Sequence, residues 1–556
     1  MEISTERVRG QAHQGDATSL PAAEVAEGAS VATGVYVATA SEVSVGAAAE
    51  QASGARFADF TRKAPVDRQR QVVDALREIL PEGALLFREE DTRPFECDGL
   101  TAFRQLPMVV ALPHTEQQVC RILKVCRALE VPVVARGAGT GLSGGAMPHA
   151  AGVVLSLARF NRIIALDPLS RTARVQPGVR NQAISEASAA HNLYYAPDPS
   201  SQIACTIGGN VSENSGGVHC LKYGLTVHNV LSVRAITIEG EVVTFGSAIG
   251  GAGGALDSPG LDLMAAMVGS EGMLAVISEV VVKLIPKPLL ARVIMASFDD
   301  VQKAGDAVAE IIAAGIIPAG MEMMDRKATG AVEPFVKAGY DLEAEAILLV
   351  ESDGTPEEVA EEIAAIEQVL RRAGCTRLSI SGSEAERLRF WSGRKNAFPA
   401  AGRISADYYC MDGTIPRKGL GRMLLAIADM EDRYRLRCMN VFHAGDGNLH
   451  PLILFDANVP GEWERAELFG AEILELCVEL GGTVTGEHGV GVEKINSMCV
   501  QFSEREREAF FAVKRAFDPP GLLNPGKAIP TLNRCAEYGR MHVQHGRLAF
   551  PDLPRF

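Results

Sequence analysis

Two stretches of this 556-residue chain concentrate residue types that can do chemistry. The first is RGAGTGLSGG at 136–145, which holds five glycines. Glycine at that density lets successive backbone N–H groups converge on one concave surface, and such a nest binds phosphate without a cationic side chain. Gly139, Gly141 and Gly144 spell GxGxxG, but a dinucleotide fingerprint of the doubly wound type must open a helix, and here Pro148 and a second apolar run follow. Taken alone, the run is as readily a flexible loop. PDPSS at 197–201, TIGGNVSENSGG at 206–217 and GSEG at 269–272 add further backbone donors with Ser and Asn side chains. Loops of this kind returning from distant sequence fit a long, anionic dinucleotide lying across a domain.

The second stretch is VFHAGDGNLHPLILF at 441–455, two apolar runs around a glycine-broken centre. It reads as a hairpin with His443 and His450 facing one another near its mouth, about 4.5–5.5 Å apart at Cβ, so that one ion could bridge them. By themselves two hairpin histidines are more often ordinary polar loop residues than ligands. TGEHGVG at 485–491 offers Glu487 and His488 as further groups. An ion of the zinc or manganese kind accepts two imidazoles and a carboxylate while leaving positions open for substrate oxygens. Beside it, an imidazole could take the hydroxyl proton of an alcohol as hydride leaves. A carboxylate on the substrate would call for an arginine fork. Arg394 in FWSGRKNAFPA at 390–400 is the candidate, and a surface arginine on a helix is the plain alternative.

The glycine loop, PDPSSQIACTIGGN and GSEGML together resemble the FAD-binding domain of the vanillyl-alcohol-oxidase type. That resemblance implies FAD contacts from Arg136, Gly137, Ala138, Gly139, Thr140, Gly141, Leu142, Ser143, Gly144 and Gly145. It implies others from Pro197, Asp198, Ser200, Ser201, Thr206, Gly208, Gly209, Asn210, Asn214, Gly217, Gly269, Glu271 and Gly272. Some members attach flavin through a histidine of the glycine loop; this loop offers Thr140, so non-covalent binding is expected.

HAGDGNLHP with TGEHGVG resembles the FAD-linked oxidases acting on D-2-hydroxy acids, a family that includes D-lactate and D-2-hydroxyglutarate dehydrogenases. The resemblance implies His443, His450 and Glu487 as ligands of a divalent metal, zinc or manganese, with His488 as the base and Arg394 clamping the substrate carboxylate. FDPPGLLNPGK at 517–527 is similar to the family's return to the flavin, which would set Asn524 near the ring. DYYCMDGTIPR at 407–417 and the tail CAEYGRMHVQHG at 535–546 are most similar to the glycolate-oxidase branch. Phe398, Cys410 and Leu452 would leave a second substrate carboxylate unpaired, which favours a two- or three-carbon acid. The expected reaction is oxidation of glycolate to glyoxylate, with hydride passing from the α-carbon to flavin N5. That branch works with a second FAD-domain subunit and an iron–sulfur subunit, and both are implied as partners. A D-lactate dehydrogenase with the same machinery, a non-catalytic flavin-domain subunit of a redox complex, and a purely structural metal remain as alternatives.

Composition bounds these readings. Hydrophobic residues at 47% and charged residues at 22% describe a soluble globular chain, and no run approaches the roughly 20 apolar residues of a membrane span. A formal charge of −15 argues against nucleic acid and against direct adhesion to an anionic membrane. Eleven cysteines without a CxxC pair read as reduced thiols of a cytoplasmic protein, and they supply no ferredoxin-like run. Electrons would leave through another subunit, and any contact with the inner face of the membrane would be made through a complex.

The elements that must position these residues are legible in outline, and they give an α+β protein. Residues 1–69 read as a disordered extension and 70–288 as the FAD-binding domain. Within the latter, a helix near 119–129 is followed by strands at 131–135, 153–157, 233–238, 242–245 and 279–285. Residues 289–460 read as a ferredoxin-like α+β cap, with strands at 293–298, 346–350 and 377–380 and helices at 302–314 and 357–373. A helical segment at 461–530 returns to the flavin, with helices near 462–480 and 505–517, and 531–556 forms a tail.

Overall fold

A computed structural model describes residues 61, 63–246 and 261–530. The expectations for residues 1–60 and for the tail 531–556 lie outside them. A helix over Val66–Arg77 begins four residues inside the expected extension, because Val72, Val73 and Leu76 recur at helical spacing and enter a core with Val119, Ile122 and Leu123.

The first sheet comprises β1 (Leu85–Leu86), β2 (Val109–Ala111), β3 (Val133–Arg136) and β4 (Val153–Ser156), in the order β1-β2-β4-β3. β2 and β3 run parallel to β4, and their nearly unbroken apolar sequences suit strands covered on both faces. The crossover helix Glu116–Ala128 starts at a capping box in which Thr115 and Gln118 satisfy one another's backbone N–H groups. The C-terminal stretch closes against β3: Leu522 O accepts from Val133 N, and Val133 O accepts from Asn524 N.

The second sheet is antiparallel, with β5 (Ile163–Asp167), β6 (Thr172–Val175), β8 (Val230–Ile236), β9 (Val242–Gly246) and β10 (Val276–Lys283) in the order β5-β6-β10-β8-β9. β7 (Leu193–Tyr194) pairs with β11 (Ile285–Pro286) beside it. No helix opens on the loop between β3 and β4, which agrees with rejecting the doubly wound motif.

The third sheet has seven antiparallel strands. They are β12 (Leu290–Phe298), β13 (Gly320–Asp325), β14 (Ala346–Gly354), β15 (Arg377–Ile380), β16 (Asp407–Cys410), β17 (Arg437–His443) and β18 (Asn448–Phe455), ordered β15-β12-β14-β13-β17-β18-β16. Alternate residues face opposite ways. Ile294, Ala296, Leu348 and Val350 meet the helices Val301–Ala313 and Pro356–Arg372, while Val293, Met295, Ile347 and Leu349 meet the helices Arg326–Val336 and Glu384–Lys395. The sheet is larger than sequence patterning indicated. β13 reads GMEMMD, in which a lone glutamate interrupts a methionine run, and the helix after it contains Pro334, so neither gave a clean period. Among the described residues nine cysteines are free thiols.

Candidate functional site

The glycine loop leaves β3 and folds over a cavity of about 420 Å³. Two of its glycines leave no room for a side chain: a Cβ on Gly137 would overlap Thr206 Oγ1, and one on Gly139, whose φ is +72°, would overlap the Arg136 guanidinium. Arg136, Gly137, Ala138, Gly139, Thr140, Gly141, Leu142 and Gly145 line the cavity, with Ser200, Ser201, Thr206, Gly208, Gly209, Asn210, Glu271 and Gly272. Thr206 Oγ1 and Asn210 Nδ2 are buried there without a hydrogen-bond partner. Unpaired polar groups on a glycine-lined wall fit a ligand that supplies the missing acceptors and lies close to the backbone.

The other expected cofactor residues stand behind this wall. Ser143 O accepts from Val492 N and Glu493 N, and Gly144 packs on Val492. Asp198, beside Pro197, gives its carboxylate to His219, with Oδ2 2.8 Å from Nδ1, and Gly217 lies against its backbone. Asn214 ends the short helix Ile207–Glu213 in the left-handed region and accepts from Val227 N, while Gly269 N donates to Val211 O. Asn524 donates from Nδ2 to Gly145 O at 3.0 Å and to Glu271 O at 2.6 Å, bracing the loop from outside the cavity.

At the far end the cavity meets His450, Glu487 and His488 from one side and Lys395, Phe398 and Pro399 from another. In the β17–β18 hairpin His450 pairs with Val441, and His443 pairs with Asn448. The two histidines are therefore diagonal neighbours on one face rather than directly opposed, with ring centroids 4.9 Å apart. His488 stacks on His450, with its ring plane tilted by 3° and centroids 4.9 Å apart. The TGEH turn is held by Asp412, whose buried carboxylate accepts from Gly486 N, Glu487 N, His488 N and Thr485 Oγ1. Burial pushes the His488 pKa down to about 4, against the pull of Asp412, so its imidazole is neutral near pH 7.

Arg394 is buried, not on a surface. Its Nε donates to Glu322 Oε2 at 2.5 Å, and Glu322 Oε1 takes His443 Nδ1 at 2.5 Å. Arg394 Nη2 lies 3.5 Å from His443 Nε2. Sequence reasoning missed both Glu322 and Asp412. For Glu322 the signal available was a single acid inside an apolar strand run, which is costly to bury without partners, whereas Asp412, past the end of β16, gave none.

His443, His450 and Glu487 have the donor atoms that a cation would need. Glu322 and the Met411 carbonyl can only accept, so the Nδ1 atoms of His443 and His450 that face them carry the hydrogens. In neutral rings both Nε2 lone pairs would then point at Glu487 Oε1, 3.1 and 2.9 Å away. Three electron-rich atoms facing one another repel unless a proton or a metal ion stands among them.

Residues 107–246 match the FAD binding domain family, and residues 287–528 match the family of FAD linked oxidases, C-terminal domain. The chain is 62% identical over 491 residues to "Glycolate oxidase subunit GlcD" of Escherichia coli strain K12, spanning 88% of this chain and 97% of that protein. It is 37% identical to the Bacillus subtilis strain 168 protein of the same name, over 78% of this chain and 91% of that one. "D-lactate dehydrogenase" of Anaerostipes hadrus is more distant, at 29% over 82% and 97%. In fold, the chain superposes on p-cresol methylhydroxylase with a TM-score of 0.71 at 17% identity, covering 84% of this chain and 98% of that one. No helix among the described residues is long and apolar enough to cross a membrane.

Proposed function

Since this chain belongs to the FAD-linked oxidases that include the glycolate oxidase GlcD subunits, we propose that it oxidises glycolate to glyoxylate as the flavin-bearing catalytic subunit of such an oxidase. FAD, held non-covalently, would accept the hydride from the substrate α-carbon at its N5. The glycine loop offers Thr140 and no histidine for attachment, which supports non-covalent binding.

The observation that carries the reading is the meeting of His450, Glu487 and His488 with the glycine-lined cavity at one end. His443, His450 and Glu487 would hold a divalent ion of the zinc or manganese kind, which would supply a positive field at the substrate's hydroxyl oxygen. The neutral His488 ring, whose Nδ1 is buried without a partner, would receive the hydroxyl proton. Arg394 has its Nε committed to Glu322 and would turn its remaining N–H groups to the substrate carboxylate. Phe398, at the cavity wall, offers a carboxylate no partner but Lys395 on the same wall does, so the preference for a small acid rests on the GlcD relatives. The subunit status of the GlcD relatives supports partner chains, here a second FAD-domain subunit and an iron–sulfur subunit, that take the electrons onward.

Glycolate added without oxygen to the purified holoprotein should bleach the flavin band, and D-lactate should do so more slowly. Equal or faster bleaching by D-lactate would reassign the substrate. For the metal, dialysis against EDTA should abolish bleaching while flavin absorbance and fold are retained. Undiminished reduction in a metal-free sample would leave the imidazole pair as a protonated ion-pair network instead.

A further inference from the structure

Three carboxyl groups line the cavity, and two of them have partners. Glu487 faces His443 and His450, and Glu271 accepts from Val490 N and Gly491 N at 2.7 Å each. Glu213 stands apart: its Oε2 is closed to solvent and has no hydrogen-bond partner. Room is made for it by two glycines from separate loops. A Cβ on Gly145 of the glycine loop would stand 2.6 Å from Glu213 Oε1, and one on Gly489 of the TGEHG turn would overlap Oε2. The carboxyl thus sits where the two motifs approach one another, inside the wall of the cavity.

Its surroundings favour the neutral acid. Burial is the largest influence, and the charges of Glu271 and Asp98 act in the same direction, against Lys494 and Lys527, so the pKa lies well above the usual carboxylate range. Glu213 is also the last residue of the helix Ile207–Glu213, where the dipole disfavours negative charge. A neutral carboxyl buried in a cavity wall has one O–H to donate, and leaving it undonated is costly. The isoalloxazine ring of FAD carries carbonyl oxygens and imine nitrogens along its edge, all acceptors.

On the reading that FAD fills this cavity, we propose that Glu213 donates a hydrogen bond from its carboxyl group to an acceptor on the edge of the flavin ring. The contact would work without substrate and would hold the ring between the glycine loop and the EHG turn.

The test uses the full-length holoprotein and the variants Glu213→Gln, Glu213→Met and Glu213→Ala, read by FAD fluorescence titration and by the visible spectrum of bound flavin. Gln keeps a neutral donor, so its FAD affinity should stay within about two-fold of the parent and its spectrum should be unchanged. Met and Ala should weaken FAD binding roughly ten-fold and shift the flavin bands in the absence of substrate. Met retains side-chain volume should Ala fail to fold. Met with unaltered affinity and spectrum would overturn the proposal, as would Gln behaving like Met, which would mean that the carboxyl acts through charge. A parent protein unable to take up FAD would instead refute the cofactor reading on which this contact rests.

Discussion

Glu322 is the residue whose loss should travel furthest. It is 1% exposed and holds Arg394 Nε with one oxygen and His443 Nδ1 with the other, at 2.5 Å each. Glu322→Gln keeps the shape but replaces one acceptor by an N–H₂ donor, which must then face either the guanidinium or the imidazole N–H. One charge-assisted bond becomes a donor–donor contact, and a buried arginine loses its counter-charge. Removing one partner of a buried pair costs about 3–5 kcal/mol. The nearby Glu487 carboxylate still balances part of the positive charge, so the lower end, about 3 kcal/mol, is expected. Denaturant unfolding of the holoprotein should read that loss. In parallel, if the proposed ion is held by His443, its affinity should fall about 10- to 100-fold, because His443 loses the acceptor that fixes its ring and tautomer. Unfolding free energy within about 0.5 kcal/mol of the parent, together with unchanged metal affinity, would refute the claim that this carboxylate organises the site.

Arg394→Lys keeps the charge but loses the planar fork; kcat/KM for glycolate should drop about 100-fold, about 2.7 kcal/mol, with flavin absorbance unchanged in the resting protein. Lys395 lines the cavity and has no ion-pair partner among the described residues, so in a chain of net charge −15 Lys395→Ala should raise KM about two- to five-fold, and added salt should shrink the difference in steady-state assays. His219 lies between Asp198 and Glu351, and Glu351 in turn accepts from Arg387 and Trp391. Despite burial, those two carboxylates raise the His219 pKa well above its usual value. The stabilisation is therefore complete below the unfolded pKa of about 6.5 and is lost as pH rises through the folded one. Melting temperature should fall with pH over that window in the parent, and the dependence should flatten in His219→Gln; an unchanged slope would exclude a stabilising charge on His219.

The parts of this molecule that were legible in its sequence are those in which a local pattern carries its own physical reason. Val119, Ile122, Leu123 and Cys126 announce a helix because one face must be buried, and all four are. The β17–β18 hairpin was visible from two apolar runs around glycines, yet its register was not: sequence placed His443 opposite His450, whereas β17 and β18 set them one diagonal apart. Register depends on the reversal, where Gly447 adopts a φ of +80°, and on the packing of the whole sheet. β13 was missed because its identity is set by its neighbours. GMEMMD has no clear alternation until β14 and β17 fix which side faces which helix, and only then does Glu322 turn toward Arg394 and His443.

The contacts that buried carboxylates make with backbone N–H groups were invisible for a related reason. Glu271 binds Val490 N and Gly491 N, 219 and 220 residues away in sequence. Asp412 gathers the backbone of Gly486, Glu487 and His488 over shorter but still long separations of 74 to 76 residues. Neither contact leaves a compositional trace on the accepting backbone, because every non-proline residue has an N–H to give. Yet these two acids determine where the EHG turn sits relative to the glycine loop: Asp412 anchors the turn to the strand side, and Glu271 anchors its continuation to the wall of the cavity. The distance over which chemistry could pass between a ligand in that cavity and His488 is therefore set by buried acid–amide contacts, while the conspicuous motifs supply only the groups that those contacts bring together.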